Sequence, residues 1–302
     1  MHDASPMIQF DYVSKRYGTK RSGTTALRDV SLEVPRGSAV AVVGPNGAGK
    51  STLFGLALGF LRPTEGTVTI GESVPRDYVR RTGVSYLPER FGPPPAWHVG
   101  EMLRAFAKLE GAPAAADDAI ERWGLARHAG KEVGELSHGL RQRLGLAQAL
   151  LVPRELIVLD EPHEGLDPLW RVRLREVVLE LRAAGHTILI ASHDLVEVER
   201  MASQAILLEA GRIRGVLETA APATPTRYRV HLAAPSGGLE AAFTNATAAD
   251  ETGTVYDVEV SDADELSTRL AAAIAGGARI VAVTPRHEDL EERVRRALAE
   301  GR

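Results

Sequence analysis

The segment Gly44-Pro45-Asn46-Gly47-Ala48-Gly49-Lys50-Ser51 constrains this chain more than any other. Two glycines with four residues between them, then Lys and a hydroxyl residue, give the spacing that wraps backbone N–H groups around phosphate oxygens. The glycines permit a tight path and close approach to an anion. Lys50 brings positive charge to the outer phosphates, and the Ser51 hydroxyl suits Mg²⁺. The flanks agree. Ala39-Val40-Ala41-Val42-Val43 is a continuous apolar run, as in a strand buried on both faces. Ser51-Thr52-Leu53-Phe54 starts a helix whose positive end faces the same phosphates. A phosphate loop alone does not separate kinases, GTPases, helicases and transport ATPases.

The rest of the chain sets the fold class. Residues 7–13, 27–34 and 38–43 are rich in Val, Ile, Leu and aromatics and predict strands. From about 98 to 152 Ala, Leu, Arg and Glu dominate. Met102, Leu103, Phe106 and Leu109 recur at helical spacing, so a helical insert is expected, over about 90–152. Alternation resumes at 156–160, 168–183, 187–191 and 194–202, the pattern of an α/β sheet with crossover helices. Thr219-Ala220-Ala221-Pro222-Ala223-Thr224-Pro225-Thr226 marks a boundary. The expected organisation is a first domain over 1–219, a linker at 220–226 and a small α+β domain over 227–302. In that last domain 227–233, 253–260 and 279–284 alternate like strands, and 263–276 and 287–299 read as helices. Ser261 or Asp262 is placed to cap the first of these helices.

A second chemical segment follows. Leu156-Ile157-Val158-Leu159-Asp160-Glu161-Pro162 is an apolar strand ending in two acids, which are costly there unless they hold a metal or do chemistry. Asp160 suits Mg²⁺, directly or through water. Glu161 points differently and can deprotonate an attacking water. A third strand, Ile188-Leu189-Ile190-Ala191-Ser192, runs into His193, where open α/β sheets place ligands. A solvated strand exit explains any one of these segments alone; their company with the phosphate loop favours a composite site.

Bulk properties narrow the partners. The formal net charge of −4 gives no broad attraction to nucleic acid or anionic lipid. The chain has no cysteine, which excludes a disulfide scaffold and a cysteine metal site. No apolar run approaches the roughly 20 residues that cross a bilayer, and no signal peptide is readable. A transported substrate is therefore expected to cross through another polypeptide.

These ordered motifs resemble the ATP-binding cassette family over residues 7 to about 217. The resemblance implies a P-loop NTPase cassette with an antiparallel β subdomain and the helical insert. Gly44–Thr52 is similar to the family's Walker A segment, hence Gly44, Pro45, Asn46, Gly47, Ala48, Gly49, Lys50, Ser51 and Thr52 are expected on ATP. Leu156–Pro162 is similar to Walker B, with Glu161 at the place of the catalytic glutamate and His193 at that of the switch histidine. Tyr17 in Lys15-Arg16-Tyr17-Gly18 resembles the aromatic that stacks on adenine, and Gly165-Leu166-Asp167 the D-loop. Leu136-Ser137-His138-Gly139-Leu140 resembles the signature that, in the family, meets the partner subunit's ATP. Ser137, His138 and Gly139 are its expected contacts in trans. Mg²⁺ is expected on Ser51, Asp160 and Glu89.

The sequence departs from the family in three places. His138 and Leu140 replace Gly and Gln of the usual signature. Glu89 in Tyr86-Leu87-Pro88-Glu89 stands where a glutamine is usual. His163 and Glu164 stand where small or neutral residues are common; both an interface pair and tolerated variants fit. The Tyr-Leu-Pro-Glu form and the Arg141–Leu146 run are similar to the branch that serves ABC-2-type permeases, mostly exporters. The implied partners are an integral-membrane permease and a second ATP-binding subunit, with no nucleic acid; the implied location is the inner face of the cell membrane. The loop Phe91–Trp97 would face the permease, or Phe91 and Trp97 would pack the subdomain itself. Two rivals are a soluble ATPase of the family acting on ribosomes or DNA, and a nucleotide-sensing subunit without turnover.

Overall fold

The computed structural model describes residues 5–18, 23–219, 227–286 and 290–300. The stretch 220–226 expected as a linker lies outside the described residues, as do residues 1–4 and the first residues of the helix expected over 287–299. The chain divides into two compact units, one of Met1–Thr219 with Ala297–Arg302 and one of Ala220–Arg296. Among the described residues no helix is long and apolar enough to cross a membrane.

In chain order the first unit runs β1 (Ile8–Tyr17), β2 (Thr24–Val34), β3 (Ala39–Val43), α1 (Lys50–Ala57), β4 (Glu65–Ile70), α2 (Pro75–Thr82), β5 (Ser85–Leu87), α3 (Val99–Leu109), α4 (Ala115–Arg122), α5 (His138–Ala149), β6 (Leu156–Asp160), α6 (Pro168–Ala183), β7 (Thr187–Ser192), α7 (Leu195–Met201), β8 (Gln204–Glu209) and β9 (Arg212–Glu218). A six-stranded sheet has the order β5-β6-β7-β3-β8-β9. Its first five strands are parallel, and β9 closes the edge antiparallel to β8. A separate antiparallel sheet has the order β2-β1-β4.

Strands β3, β6 and β7 are buried at every position. Side chains alternate across a strand, so each of these runs supplies two cores. Leu156, Val158, Val40 and Val42 share one core with Phe10, Leu27, Leu53 and Phe54, beneath α1 and the antiparallel sheet. Ile157, Leu159, Ile188 and Ile190 share the other with Met102, Leu103, Trp123, Leu144 and Leu174, from the helical insert and α6. Covering both faces is why these strands read as unbroken apolar runs. Each fully buried Leu, Ile, Val or Phe contributes about 1.5–3 kcal/mol.

The parallel register decides where the chemistry falls. Val43 pairs with Ser192, and Asp160 pairs with Ala191. The chain therefore leaves β3, β6 and β7 at one edge of the sheet. The phosphate loop, the two acids and His193 meet there, where parallel sheets place their ligands.

The second unit contains β10 (Arg227–Leu232), α8 (Gly237–Ala242), β11 (Thr247–Ala248), β12 (Val255–Glu259), α9 (Ala263–Ala275), β13 (Ile280–Pro285) and, as far as Arg296, α10 (Leu290–Glu300). Its antiparallel sheet has the order β11-β12-β10-β13. Tyr228, Val230 and Leu232 alternate inward from β10 onto Leu239, Phe243, Tyr256 and Val258. On the opposite face Arg229 makes two hydrogen bonds to Asp257, at 2.8 and 3.0 Å. Of the two expected candidates, Asp262 is the N-cap of α9 and Ser261 precedes it. Asp262 accepts from the Glu265 N–H at 2.8 Å, and the Ser261 N–H donates to the Glu265 carboxylate at 2.7 Å.

Candidate active site

The phosphate loop leaves β3 at Val43 and is held by contacts that only glycine allows. A side chain on Gly44 would start 2.1 Å from the Leu208 carbonyl oxygen. Gly47 and Gly49 have φ of 80° and 112°, in the left-handed region. Gly49 ends the loop and α1 begins at Lys50. Lys50 is buried, and its ammonium donates to the Gly44 carbonyl at 2.7 Å. Residues 45–52 line a cleft of about 380 Å³ together with Ala26, Glu89, Asp160, Glu161, Glu164 and His193.

Glu161 is the geometric centre of the charged groups. Its φ of 48° is left-handed in a residue with a full side chain. Such a conformation costs about 1–3 kcal/mol and persists only where surroundings enforce it. One enforcing contact is its N–H, which donates to the Ala191 carbonyl on the adjacent strand at 3.0 Å. The carboxylate oxygen Oε1 lies 3.7 Å from Lys50 Nζ. The other, Oε2, lies 2.9 Å from Nδ1 of His193 and 3.8 Å from Nε2 of His163.

Asp160 ends β6 and is buried. Burial, then the charges of Glu89 and Glu161, push its carboxyl up to about 7, against the opposing pull of Lys50. The acids of the cleft are thus short of positive charge. Among the described residues no cluster of three or more His, Asp or Glu side chains is placed to hold a metal by itself. Ser51, Glu89 and Asp160 offer hydroxyl and carboxylate oxygens, the donors that Mg²⁺ takes alongside water and phosphate. These residues fit the ion in the presence of a phosphate ligand.

The structure divides the sequence-predicted residues into two groups. Pro45, Asn46, Gly47, Ala48, Gly49, Lys50, Ser51, Thr52, Glu89, Asp160, Glu161 and His193 line the cleft. Ser137, His138, Gly139 and Asp167 are absent from its lining. Ser137 caps α5, its Oγ accepting from the Leu140 N–H at 3.3 Å. Asp167 caps α6, accepting from the Trp170 N–H at 3.1 Å. A side chain on Gly139 would start 2.7 Å from the Gly165 carbonyl, so these two loops lie against each other. Tyr17 stands on the loop's flank, exposed, with its hydroxyl 3.3 Å from the Thr52 hydroxyl. Phe91 packs on the core beside Gly145, whereas Trp97 stays 46% exposed.

Two buried residues carry more of the site than the sequence suggested. Gln142 on α5 donates to the carbonyls of Glu161 and Pro162, at 3.2 and 3.0 Å. His163 is buried and bonds Ser192 Oγ through Nε2 at 3.1 Å. Glu164, its neighbour, lines the cleft instead.

A parallel sheet with a Gly-rich anion loop, a buried lysine and paired acids at one edge defines a phosphate-loop nucleoside triphosphatase. The family model for the ABC transporter matches residues 27–164. The chain is 38% identical over 212 residues to the Nod factor export ATP-binding protein I of Burkholderia orbicola, covering 68% of each. It is 34% identical over 231 residues to a fluoroquinolones export ATP-binding protein of Mycobacterium tuberculosis, covering 74% of this chain and 76% of the relative. A solved dimeric ATP-binding cassette in a post-hydrolysis state, bound to ADP and Pi, shares the fold, with a TM-score of 0.66 and 23% identity. That match covers 72% of this chain and all of the cassette. The chain belongs to the ABC transporter family, as an ATP-binding subunit.

Proposed function

We propose that this ATPase powers an integral-membrane export permease, and that the permease supplies the substrate's path. The carrying observation is the Glu161 carboxylate, bracketed by Lys50 and His193 at the edge where the phosphate loop begins. ATP binds with its phosphates against residues 44–52, under the loop N–H groups and the start of α1. Lys50 turns from the Gly44 carbonyl to the outer phosphates. Ser51, Asp160 and Glu89 would hold Mg²⁺, which would supply positive charge against the phosphates. Glu161 takes a proton from the attacking water as the new P–O bond forms. The bond from the γ-phosphorus to the bridging oxygen breaks, and ADP leaves. His193 contacts the γ-phosphate, and Tyr17 stacks on adenine.

The second group of residues calls for a second ATP-binding subunit. Ser137, His138 and Gly139 lie outside the chain's own cleft, at a helix N-terminus suited to an anion, and Asp167 lies outside it at the start of α6. In a head-to-tail pair of like subunits they close over the partner's ATP. The export names of the two relatives support an exporter of the ABC-2-type branch. The subunit then works on the inner face of the cell membrane, its exposed Trp97 toward the permease. The net charge of −4 gives nucleic acid no broad attraction. Glu161→Gln tests the reading. It should leave ATP affinity within about twofold and lower turnover by a hundredfold or more, given that a positioned base supplies about 10²–10⁴. Normal turnover in that variant sinks it.

A further inference from the structure

His163 sits in a position that the proposed chemistry has not used. It follows the Glu161-Pro162 turn and is only 2% exposed. Its Nε2 bonds Ser192 Oγ at 3.1 Å and stands 3.8 Å from Glu161 Oε2. The imidazoles of His163 and His193 face the same carboxylate oxygen, with ring centroids 6.4 Å apart. Oε1 is left free to turn toward Lys50.

The hydrogen bonds select a tautomer. Ser192 Oγ accepts from the Asp194 N–H at 2.9 Å and donates to the Asp194 carbonyl at 3.4 Å. Its hydrogen is therefore engaged, and it can accept from His163. Nδ1 of His163 is buried without a hydrogen-bond partner. A buried N–H without a partner costs more than a buried lone pair, so the proton belongs on Nε2. Burial also keeps the ring neutral, lowering its pKa despite the nearby carboxylates of Glu161, Asp194 and Glu197, with Arg171 acting in the same direction as burial.

We propose that His163 is a positioning residue for ATP hydrolysis: held on Ser192 through Nε2, its enclosed imidazole stands 3.8 Å from Glu161 Oε2 and fixes by contact the place of that carboxylate for the attacking water. This rests on the reading of Glu161 as the base. Lys50 and His193 both leave Glu161 when they turn to the phosphates. His163 cannot follow them, because it is enclosed and tied to the end of β7. It is then the side chain that still orients Oε2 during the reaction. The residue also ties two segments of the site together, the turn after β6 and the end of β7.

The test compares His163→Leu and His163→Gln with the wild-type full chain, in complex with its permease, beside Glu161→Gln. Leu fills the space without a donor; Gln restores an N–H near the Nε2 position. His163→Leu should lower kcat about tenfold or more, as displaced catalytic groups do, with ATP affinity within about twofold. His163→Gln should recover much of kcat. Wild-type kcat in His163→Leu overturns the assignment of His163 alone. Equal losses in both variants, matched by equal losses of melting temperature, overturn it in favour of simple packing. A wild type whose turnover survives Glu161→Gln overturns the parent reading and this one with it.

Discussion

The imidazole of His138 occupies the space where a side chain on Gly165 would begin: a Cβ there would lie 2.2 Å from His138 Cδ2. The signature and the loop before α6 thus meet through a residue that has no side chain and one that is unusual for its place. Gly165 also has φ of 72°, so alanine meets two obstacles. The exposed His138 ring can swing away, which makes the steric part small. The left-handed backbone cannot be escaped and costs about 1–2 kcal/mol. Gly165→Ala should lose about that much stability in a denaturant melt, and adding His138→Ala should recover little of it. Full recovery in the double variant would mean the ring, not the backbone, sets the cost.

The glycines of the phosphate loop should separate by role. A Cβ on Gly44 runs into the Leu208 carbonyl at 2.1 Å, whereas one on Gly47 meets nothing within 4 Å. Gly44→Ala should therefore damage the fold itself and lower the melting temperature by several degrees, since about 1 kcal/mol shifts it by roughly 2–4 °C in a domain of this size. Gly47→Ala carries only the strain of its φ of 80° in the empty chain. Its methyl group meets the phosphates instead, so ATP affinity should fall far more than stability. Isothermal titration and thermal melts on both variants read the contrast.

The site was legible where its residues are contiguous. The phosphate loop, the Asp160-Glu161 pair and the Ser192-His193 strand end each announce themselves within a short stretch, and the apolar runs before them fix one sheet edge. What stayed hidden is carried across sequence. Gln142 reaches Glu161 over 19 residues, and His163 reaches Ser192 over 29. Neither pairing leaves a periodic trace. Phe91 illustrates the same limit: its loop left two fates open, and packing beside Gly145 decided one of them. The polar helix α2 was unforeseen because Arg76, Asp77, Arg80 and Arg81 leave it little apolar face. Strand β1 runs past its expected end because register shifts and the left-handed Tyr12 break the alternation that marks a strand.

The raised carboxyl of Asp160 predicts a pH-linked ligand. Its pKa of about 7 in the fold exceeds the ordinary 3.8, from burial first and then from Glu89 and Glu161. For an acid this sign means that ionisation is penalised in the empty fold. The protein without ligand loses stability as pH rises from 3.8 to about 7. A bound cation needs the ionised form, so Mg·ATP binding should release a proton from Asp160 below pH 7 and almost none at pH 8. Calorimetry in buffers of different ionisation enthalpy measures this. Asp160→Asn serves as the control that subtracts the proton of ATP itself. Equal release by wild type and Asp160→Asn at pH 6 would contradict the assignment.

Gln142 supplies the sharpest test of how the helical insert supports the acids. Its amide is buried and donates to two carbonyls, those of Glu161 and Pro162. The Glu161 carbonyl keeps a second donor, the Glu164 N–H at 3.1 Å. Gln142→Leu therefore strips mainly Pro162 of its partner, at about 1–3 kcal/mol for a buried group left unmade. Gln142→Glu keeps the shape and turns the donor into an acceptor facing both carbonyls, so it should be worse than Leu. Because the anchored turn holds Glu161 in its left-handed conformation, kcat should fall further than ATP affinity in both variants. Urea melts and single-turnover hydrolysis on the two proteins decide the matter. A Gln142→Leu protein that melts and hydrolyses like the wild type would show that the Ala191 contact alone holds Glu161 in place.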